Sequence, residues 1–459
     1  MAGHRFHPTL LREYDIRGTV GLTLHHADAL AVGRAFGTLV KRDGGDCVAV
    51  AYDGRLSSPE LADAVAAGLR ACGLTVRLCG LGPTPMLYYA AQDPQVQAGV
   101  MVTGSHNPPD FNGFKFVFRG KPFFGERIQE LGRLAAEGDF ETGEGEVETL
   151  APLDDYVARL IEGYDGSHDL KVAWDAGNGA AGEAMVRLTR NLPGRHHLLF
   201  EQIDGSFPNH HPDPTKAENL EALIRTVREQ GCDLGIAFDG DGDRLGAVDN
   251  EGEIIWGDQI MILFARDVLR EHPGAPVIAD VKSSQVLFDE IARAGGQPVM
   301  HRTGHAPIKA KMAELKAPLA GELSAHFFFA DRYYGYDDAL YAAVRLLSIV
   351  SRTKESLSAF RAGLPPVVNT PEHRVACADE RKFAVIDEIK ARVLAAGAEV
   401  NDIDGVRVQN ADGWWLLRAS NTEPSLVLRC EASEAAGLER LKAAVAAELE
   451  ASGLEVPPL

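Results

Sequence analysis

Three apolar runs, each closed by an aspartate, constrain this chain most strongly. They are Val48-Ala49-Val50-Ala51-Tyr52-Asp53, Val172-Ala173-Trp174-Asp175 and Val277-Ile278-Ala279-Asp280. Short apolar runs bounded by turn residues read as buried strands. A polar or glycine-containing turn follows each: Ser57-Ser58-Pro59-Glu60, Ala176-Gly177-Asn178-Gly179 and Val281-Lys282-Ser283-Ser284. The first of these is a capping-box pattern with proline near the first helical position. Leu61, Val65 and Leu69 then recur at helical spacing. A second strand is expected in each unit, over 75–78, 198–203 and 298–301. A third element then ends in a motif: Thr103-Gly104-Ser105-His106-Asn107, Asp239-Gly240-Asp241-Gly242-Asp243-Arg244, or Gly321-Glu322-Leu323-Ser324-Ala325-His326. Strands alternating with helices predict α/β units on mixed, largely parallel sheets. Ligands of such sheets sit beyond the carboxyl ends of the strands. The repeat therefore predicts three similar α/β domains, each presenting one loop to a common central cleft.

The last segment differs. Gly363-Leu364-Pro365-Pro366-Val367-Val368-Asn369-Thr370-Pro371 is a proline-rich link and the expected hinge. A helix over 382–394, strands over 406–408, 414–418 and 426–431, and a last helix with Leu438, Leu441, Val445 and Leu449 on one face follow. Strands with helices on one face predict a smaller C-terminal α+β domain of about a hundred residues. The expected domains are 1–150, 151–253, 254–365 and 366–459.

Composition excludes some partners. A formal charge of -20 over 459 residues makes the chain a poor binder of nucleic acid or of an anionic membrane. Its six cysteines show no metal-ligand spacing and read as buried thiols of a reducing compartment, so a cytoplasmic location is expected. The N-terminus has no apolar signal-peptide core. The apolar helical stretch 340–350 is interrupted by Arg345 and too short to span a bilayer.

The motifs suggest chemistry. Ser105 heads a loop shaped by Gly104, Asn107, Pro108 and Pro109, with His106 beside it and Lys115 further along. A serine held there can carry a phosphoryl group if it is activated and the phosphate is neutralised; an isolated Ser-His pair would more simply be a polar turn. Asp239, Asp241 and Asp243, separated by glycines, can converge on one hard cation, and all-oxygen ligation favours Mg²⁺. A calcium loop would need Gly and Glu where Arg244 and Asn250 stand. An aspartyl-phosphate nucleophile would leave the serine loop unexplained. Glu322, Ser324 and His326 offer groups that hydrogen-bond sugar hydroxyls. Arg418-Ala419-Ser420-Asn421-Thr422-Glu423-Pro424-Ser425, followed by Arg429, reads as a phosphate nest. Tyr14-Asp15-Ile16-Arg17-Gly18, Gly304-His305-Ala306-Pro307-Ile308-Lys309 and the His210-His211 loop read, taken alone, as structural.

These motifs, in this order and one per domain, resemble the α-D-phosphohexomutase superfamily, within it the bacterial phosphomannomutase/phosphoglucomutases. The resemblance runs from about Tyr14 to near the C-terminus. It implies four domains around a deep cleft and a resting enzyme phosphorylated on Ser105. Ser105 and the three aspartates would hold Mg²⁺. A hexose phosphate would be converted through a 1,6-bisphosphate, with glucose or mannose 1,6-bisphosphate as activator. His106 and Lys115 would be acid/base candidates, and Lys115, Arg244 and Arg17 would neutralise phosphate. Lys282 and His305 would bind substrate or shuttle protons, with Tyr14 and His326 also in the binding set. Arg418, Ser420, Asn421, Thr422 and Arg429 would hold the distant phosphate. Glu322 and Ser324 would contact the O3 and O4 hydroxyls, which nearly exchange places when the intermediate makes its half-turn. The protein is expected to act as a monomer on small hexose phosphates. Leu323 and Ala325 stand where dual mannose/glucose members carry Met and Gly; the changes are modest in size, so dual use is the expectation. Phosphoglucosamine mutation and a metal-assisted phosphatase using Ser105 are the alternatives.

Overall fold

The computed structural model describes residues 3–421 and 423–459, which form four β-sheets. The first three sheets share one plan. In the first, Thr75–Leu81, Cys47–Tyr52, Ala98–Val102 and Phe111–Phe118 lie side by side, the last antiparallel to the others. Arg195–Leu199, Lys171–Asp175, Leu234–Phe238 and Leu245–Asp249 repeat that order and sense. Gln297–His301, Pro276–Asp280, Leu319–Gly321 and Phe327–Phe329 repeat it again. The repeat of strand-end aspartates is thus a repeat of topology. In each unit the motif loop joins the third parallel strand to its antiparallel neighbour, so all three motifs leave the carboxyl end of an inner strand.

The core follows the strand period of two. Val48, Val50 and Val100 face one apolar cluster with the helices His26–Arg42 and Ser58–Arg70. Ala49, Ala51 and Met101 face another, which continues through Trp174 and Phe238 to Phe264, Ala279 and Leu340. The first three units therefore share one continuous core. Leu61, Val65 and Leu69 are buried as their spacing predicts.

Two local expectations are corrected. The strand expected over 198–203 is Arg195–Leu199. Phe200 turns to a φ of +51, and Ile203 packs instead against Gly54, where an added Cβ would lie 2.3 Å from its Cγ2. Ser57 does not cap its helix; its hydroxyl accepts from Asn112 Nδ2 at 2.9 Å. Arg345, which breaks the apolar run of the helix Ala339–Thr353 as expected, is buried within it and paired with Asp331 at 2.8 Å and Asp267 at 3.2 Å. Among the described residues no helix is long and apolar enough to cross a membrane, and all six cysteines are buried and unpaired.

The fourth sheet is antiparallel, in the order Val368–Asn369, Ser425–Ala432, Gly413–Ala419, Val406–Asn410, Glu399–Asn401. The helices Asp379–Ala395 and Ala435–Ala451 cover one face through Val385, Ile389, Leu441, Val445 and Leu449. The end of the proline-rich link is thus already part of this sheet. The other face meets the third unit through a small apolar patch, Val281, Trp414 and Leu416. Polar contacts surround it. Arg407, stacked on Trp414 at 3.8 Å, donates to Val281 O at 2.6 Å and Ser283 O at 3.0 Å. Lys282 Nζ lies 3.3 Å from Glu372.

Against the cost of burial, Lys282 and Arg374 push the Glu372 carboxyl down to about 2 from an ordinary 4.5. A depressed folded-state value contributes stability above the ordinary pKa, and that stability is lost as pH falls through the folded one. Glu372→Gln is therefore expected to be less stable than wild type at neutral pH. The difference should shrink as pH falls from 4.5 toward about 2, as read by chemical denaturation.

Candidate active site

Ser105 sits at the bottom of a cleft of about 1400 Å³ lined by all four units. It is 2% exposed and has a φ of +52. That left-handed conformation costs a non-glycine residue roughly 1–2 kcal/mol, so the surroundings must hold it. Asp53, at the end of the neighbouring strand, accepts from Gly104 N at 3.0 Å and Thr103 Oγ1 at 2.8 Å. Thr103 Oγ1 in turn accepts from Ser105 N at 2.8 Å. Arg55, fully buried, pairs with Asp53 at 3.2 Å. Its guanidinium donates to Ser105 O at 2.7 Å, Asn107 O at 2.6 Å and Phe111 O at 3.0 Å, and also to Pro108 O. One planar fork thus gathers four loop carbonyls. Neither Asp53 nor Arg55 was singled out in sequence as a site residue. The run Asp53-Gly54-Arg55 at a strand end was visible, but nothing in it pointed to the serine loop.

The metal motif meets this loop from the second unit. Ser105 Oγ lies 3.1 Å from Asp239 Oδ2 and 3.1 Å from His106 Nδ1. Lys115 Nζ is 2.8 Å from Asp241 Oδ2 and bonds Asp243 Oδ2 at 2.5 Å. Asp239, Asp241 and Asp243 are fully buried, with carboxylate oxygens within 4.8 Å of one another. Burial, then Asp243 and Asp241, pushes the Asp239 carboxyl well above the ordinary range. Asp241 Oδ1 has no hydrogen-bond partner, and Asp243 Oδ1 has only His326 Nε2 at 3.2 Å. An orphaned buried carboxylate oxygen beside a crowded, partly uncompensated set fits a cation bound there.

His326 links the second and third loops. Its Nε2 is 3.2 Å from Asp243 and its Nδ1 3.3 Å from Glu322. Against the cost of burial, Asp243 and Glu322 push its pKa up to about 9. Glu322 also accepts from Gly304 N at 2.7 Å, and Ser324 Oγ lies 3.2 Å from His326 Nδ1. The strand-end Asp280 accepts from Leu323 N at 3.0 Å, as Asp53 does from Gly104. Ala325 has a φ of +69; glycine would adopt it freely, so this sugar loop is stiffer than a glycine version. Burial, then Arg244 and Arg17, holds the His106 imidazole well below its ordinary value. Burial, then Lys309 and Lys115, does the same for His305. Lys115 is held well above its ordinary value by Asp241 and Asp243, against the cost of burial.

Every expected site residue that the structure describes lines this cleft, except the three aspartates, which stand behind Ser105. Thr422 lies outside the described residues. Arg17 donates to Asn107 Oδ1 at 2.9 Å; Arg244 Nε lies 3.9 Å from Asp239. The Tyr14 hydroxyl donates to Thr303 O at 2.8 Å and accepts from Asn421 at 2.6 Å, tying the first, third and fourth units together. Arg418 is held by Asp404 at 2.9 Å, and Arg429 donates to Lys282 O. His305 lies 3.5 Å from Asp337. His210 braces Asp175 at 3.0 Å, the structural role its loop suggested. Asp404 and Glu372 are scattered in sequence and carried no signal there.

Three topologically repeated loops and a fourth cationic loop around one deep cleft define a multidomain phosphoryl-transfer enzyme. The chain belongs to the phosphoglucomutase/phosphomannomutase family: the models of its alpha/beta/alpha domains I, II and III and its C-terminal domain match residues 8–142, 154–252, 256–367 and 372–448. A phosphomannomutase/phosphoglucomutase of Pseudomonas putida is 46% identical over 434 residues, covering 95% of this chain and 94% of its own. A phosphoglucomutase of Neisseria meningitidis is 42% identical over 454 residues, 98% of each chain. The crystal structure of a Burkholderia thailandensis phosphoglucomutase/phosphomannomutase family protein matches with a TM-score of 0.94 at 45% identity, covering 99% of this chain and 100% of that one. The chain is a mutase of hexose phosphates, in the class those names define.

Arg55 acts on Ser105 only through the loop backbone. A displacement of about 1 Å at a reacting atom costs on the order of a hundredfold. Arg55→Met is therefore expected to lower kcat for hexose phosphate by about that factor with a smaller change in KM. Steady-state kinetics on folded variant check it.

Proposed function

We propose that this chain interconverts the 1- and 6-phosphates of mannose and glucose through a phosphoserine at Ser105 and a hexose 1,6-bisphosphate. One observation carries the reading: the Ser105 hydroxyl lies 3.1 Å from Asp239, under a cleft lined by cationic residues of all four units. Binding alone would need neither a strained nucleophile nor the carboxylate cluster.

Asp239, Asp241, Asp243 and phosphorylated Ser105 would hold Mg²⁺, which when bound neutralises charge on the transferring phosphoryl group. The Ser105 O–P bond breaks as a bond forms to the free sugar hydroxyl. That hydroxyl loses a proton and Ser105 Oγ gains one. His106, whose Nδ1 lies 3.1 Å from Oγ, and Lys115 are placed to carry it. Arg17 and Arg244 face the same phosphate from either side of the loop. Arg418, Ser420, Asn421, Thr422 and Arg429, with Lys282, fix the other phosphate, while Glu322 and Ser324 take the ring hydroxyls. His305, His326 and Tyr14 complete the wall. The bisphosphate then turns end for end and its second phosphoryl group returns to Ser105. Small-molecule sites usually enclose roughly 300–1,000 Å³; a cleft of about 1400 Å³ leaves room for that turn.

The reading includes domain limits at 1–150, 151–253, 254–365 and 366–459, with the fourth domain closing on the proline-rich link to exclude water. It includes a hexose 1,6-bisphosphate activator, to restore enzyme that has lost its phosphate. It places the protein in the cytoplasm, supported by six unpaired buried thiols. One chain is taken as the acting unit, because one chain supplies all the groups named.

The test assays mannose 1-phosphate and glucose 1-phosphate with Mg²⁺ and bisphosphate, following 6-phosphate product and free phosphate together. Isomerisation of both sugars with little phosphate release is expected. Ser105→Ala should lower it by roughly a thousandfold or more, and metal chelation should abolish it reversibly. Phosphate release without isomerisation would indicate the phosphatase instead. Turnover of glucosamine phosphate alone would correct the sugar.

A further inference from the structure

The cleft wall holds a tryptophan that none of these steps uses. The chain has four tryptophans. Trp174, Trp414 and Trp415 are 0%, 1% and 3% exposed, whereas Trp256 is 42% exposed and lines the cleft. An indole is the largest apolar side chain, and leaving it against water is unfavourable unless something covers it.

Its backbone is pinned on the substrate side. Trp256 immediately precedes the helix Gly257–Glu271. An added Cβ at Gly257 would lie 2.8 Å from Leu323 O and 3.1 Å from Glu322 O, so the helix start is pressed under the loop that carries the hydroxyl-binding groups. The next residue, Asp258, accepts from Ser284 N at 3.1 Å and lies 3.8 Å from Arg429 Nη2. Trp256 is thus anchored between the hydroxyl-binding loop and a phosphate-binding arginine. Leu323, Val286 and Ile262 continue the same apolar wall.

We infer that Trp256 is the platform on which the hexose ring rests, its indole against the C–H groups of either sugar face. This deepens the mutase reading and rests on it. The half-turn of the intermediate sets an unusual demand. Hydrogen bonds to hydroxyls are directional and must be remade in each pose. A flat aromatic face attracts polarised C–H groups without fixing their azimuth. It therefore serves both poses and both C2 epimers.

The experiment has two arms. In Ser105→Ala, which binds without turnover, glucose 1-phosphate should change tryptophan fluorescence and inorganic phosphate should not; Trp256→Tyr in that background should remove the change. In the otherwise native enzyme, Trp256→Ala should raise KM for both sugars about tenfold, with kcat altered by no more than about twofold, and Trp256→Tyr should restore most of the loss. An unchanged KM in Trp256→Ala, or a full fluorescence response to inorganic phosphate alone, would overturn the platform. A sugar-dependent response in a protein that turns over neither sugar would uphold the platform while sinking the mutase reading.

Discussion

The assembly depends on one buried electrostatic constraint. Asp239, Asp241, Asp243 and Asp337 are each fully buried near the centre of the molecule. A buried carboxylate without a partner costs several kcal/mol. Cations from different units meet that demand: Lys115 from the first, Arg244 from the second, His326 and Lys309 from the third. The second unit does not balance its own charge, whereas Asp337 is met by Lys309 of its own third unit. Bringing the serine, metal and sugar loops together is therefore how the charge is compensated, and the same arrangement is what phosphoryl transfer requires. Asp241 Oδ1, buried without a partner, marks where positive charge is still lacking.

Strand-end aspartates supply the second layer. Asp53 and Asp280 occupy the same place in two units, and each accepts a backbone N–H from its own motif loop. In the second unit Asp175 instead takes His210, leaving the metal loop to its own turn. The repeat thus preserves a bracket where a loop must hold a strained shape. Coupling differs among the units. The first three are joined by a continuous apolar core, whereas the fourth touches the third through three apolar residues ringed by polar contacts. Polar interfaces of this kind open more readily than apolar ones.

The repeat, the strand-end aspartates and the four motifs were legible because strands alternate with helices and the motifs carry unusual local chemistry. The serine loop was clear from Gly104 and the paired prolines, and the metal loop from carboxylates alternating with glycines. What escaped was action at a distance. Arg55 lies three residues beyond a strand and belongs to no motif, yet it is buried because the loop that needs it arrives 50 residues later. Glu372 meets Lys282 across units and Asp404 holds Arg418 within the fourth, and neither left a spacing to find. The strand placed at 198–203 was displaced by apolar Phe200 and Ile203, which pack outside the sheet. Local periodicity cannot distinguish a side chain that fills a sheet from one that fills an interdomain gap.

The most direct measurement follows the phosphoryl group itself. Dephosphorylated protein would be incubated with Mg²⁺ and glucose 1,6-bisphosphate carrying heavy oxygen in its phosphoryl groups, then chased with unlabelled glucose 1-phosphate. Mass spectrometry would locate the label at each stage. The account predicts label on Ser105 after the first step and its transfer to sugar phosphate during the chase, with little free phosphate. Label appearing on an aspartate of the metal loop, or leaving only as free phosphate, would contradict it.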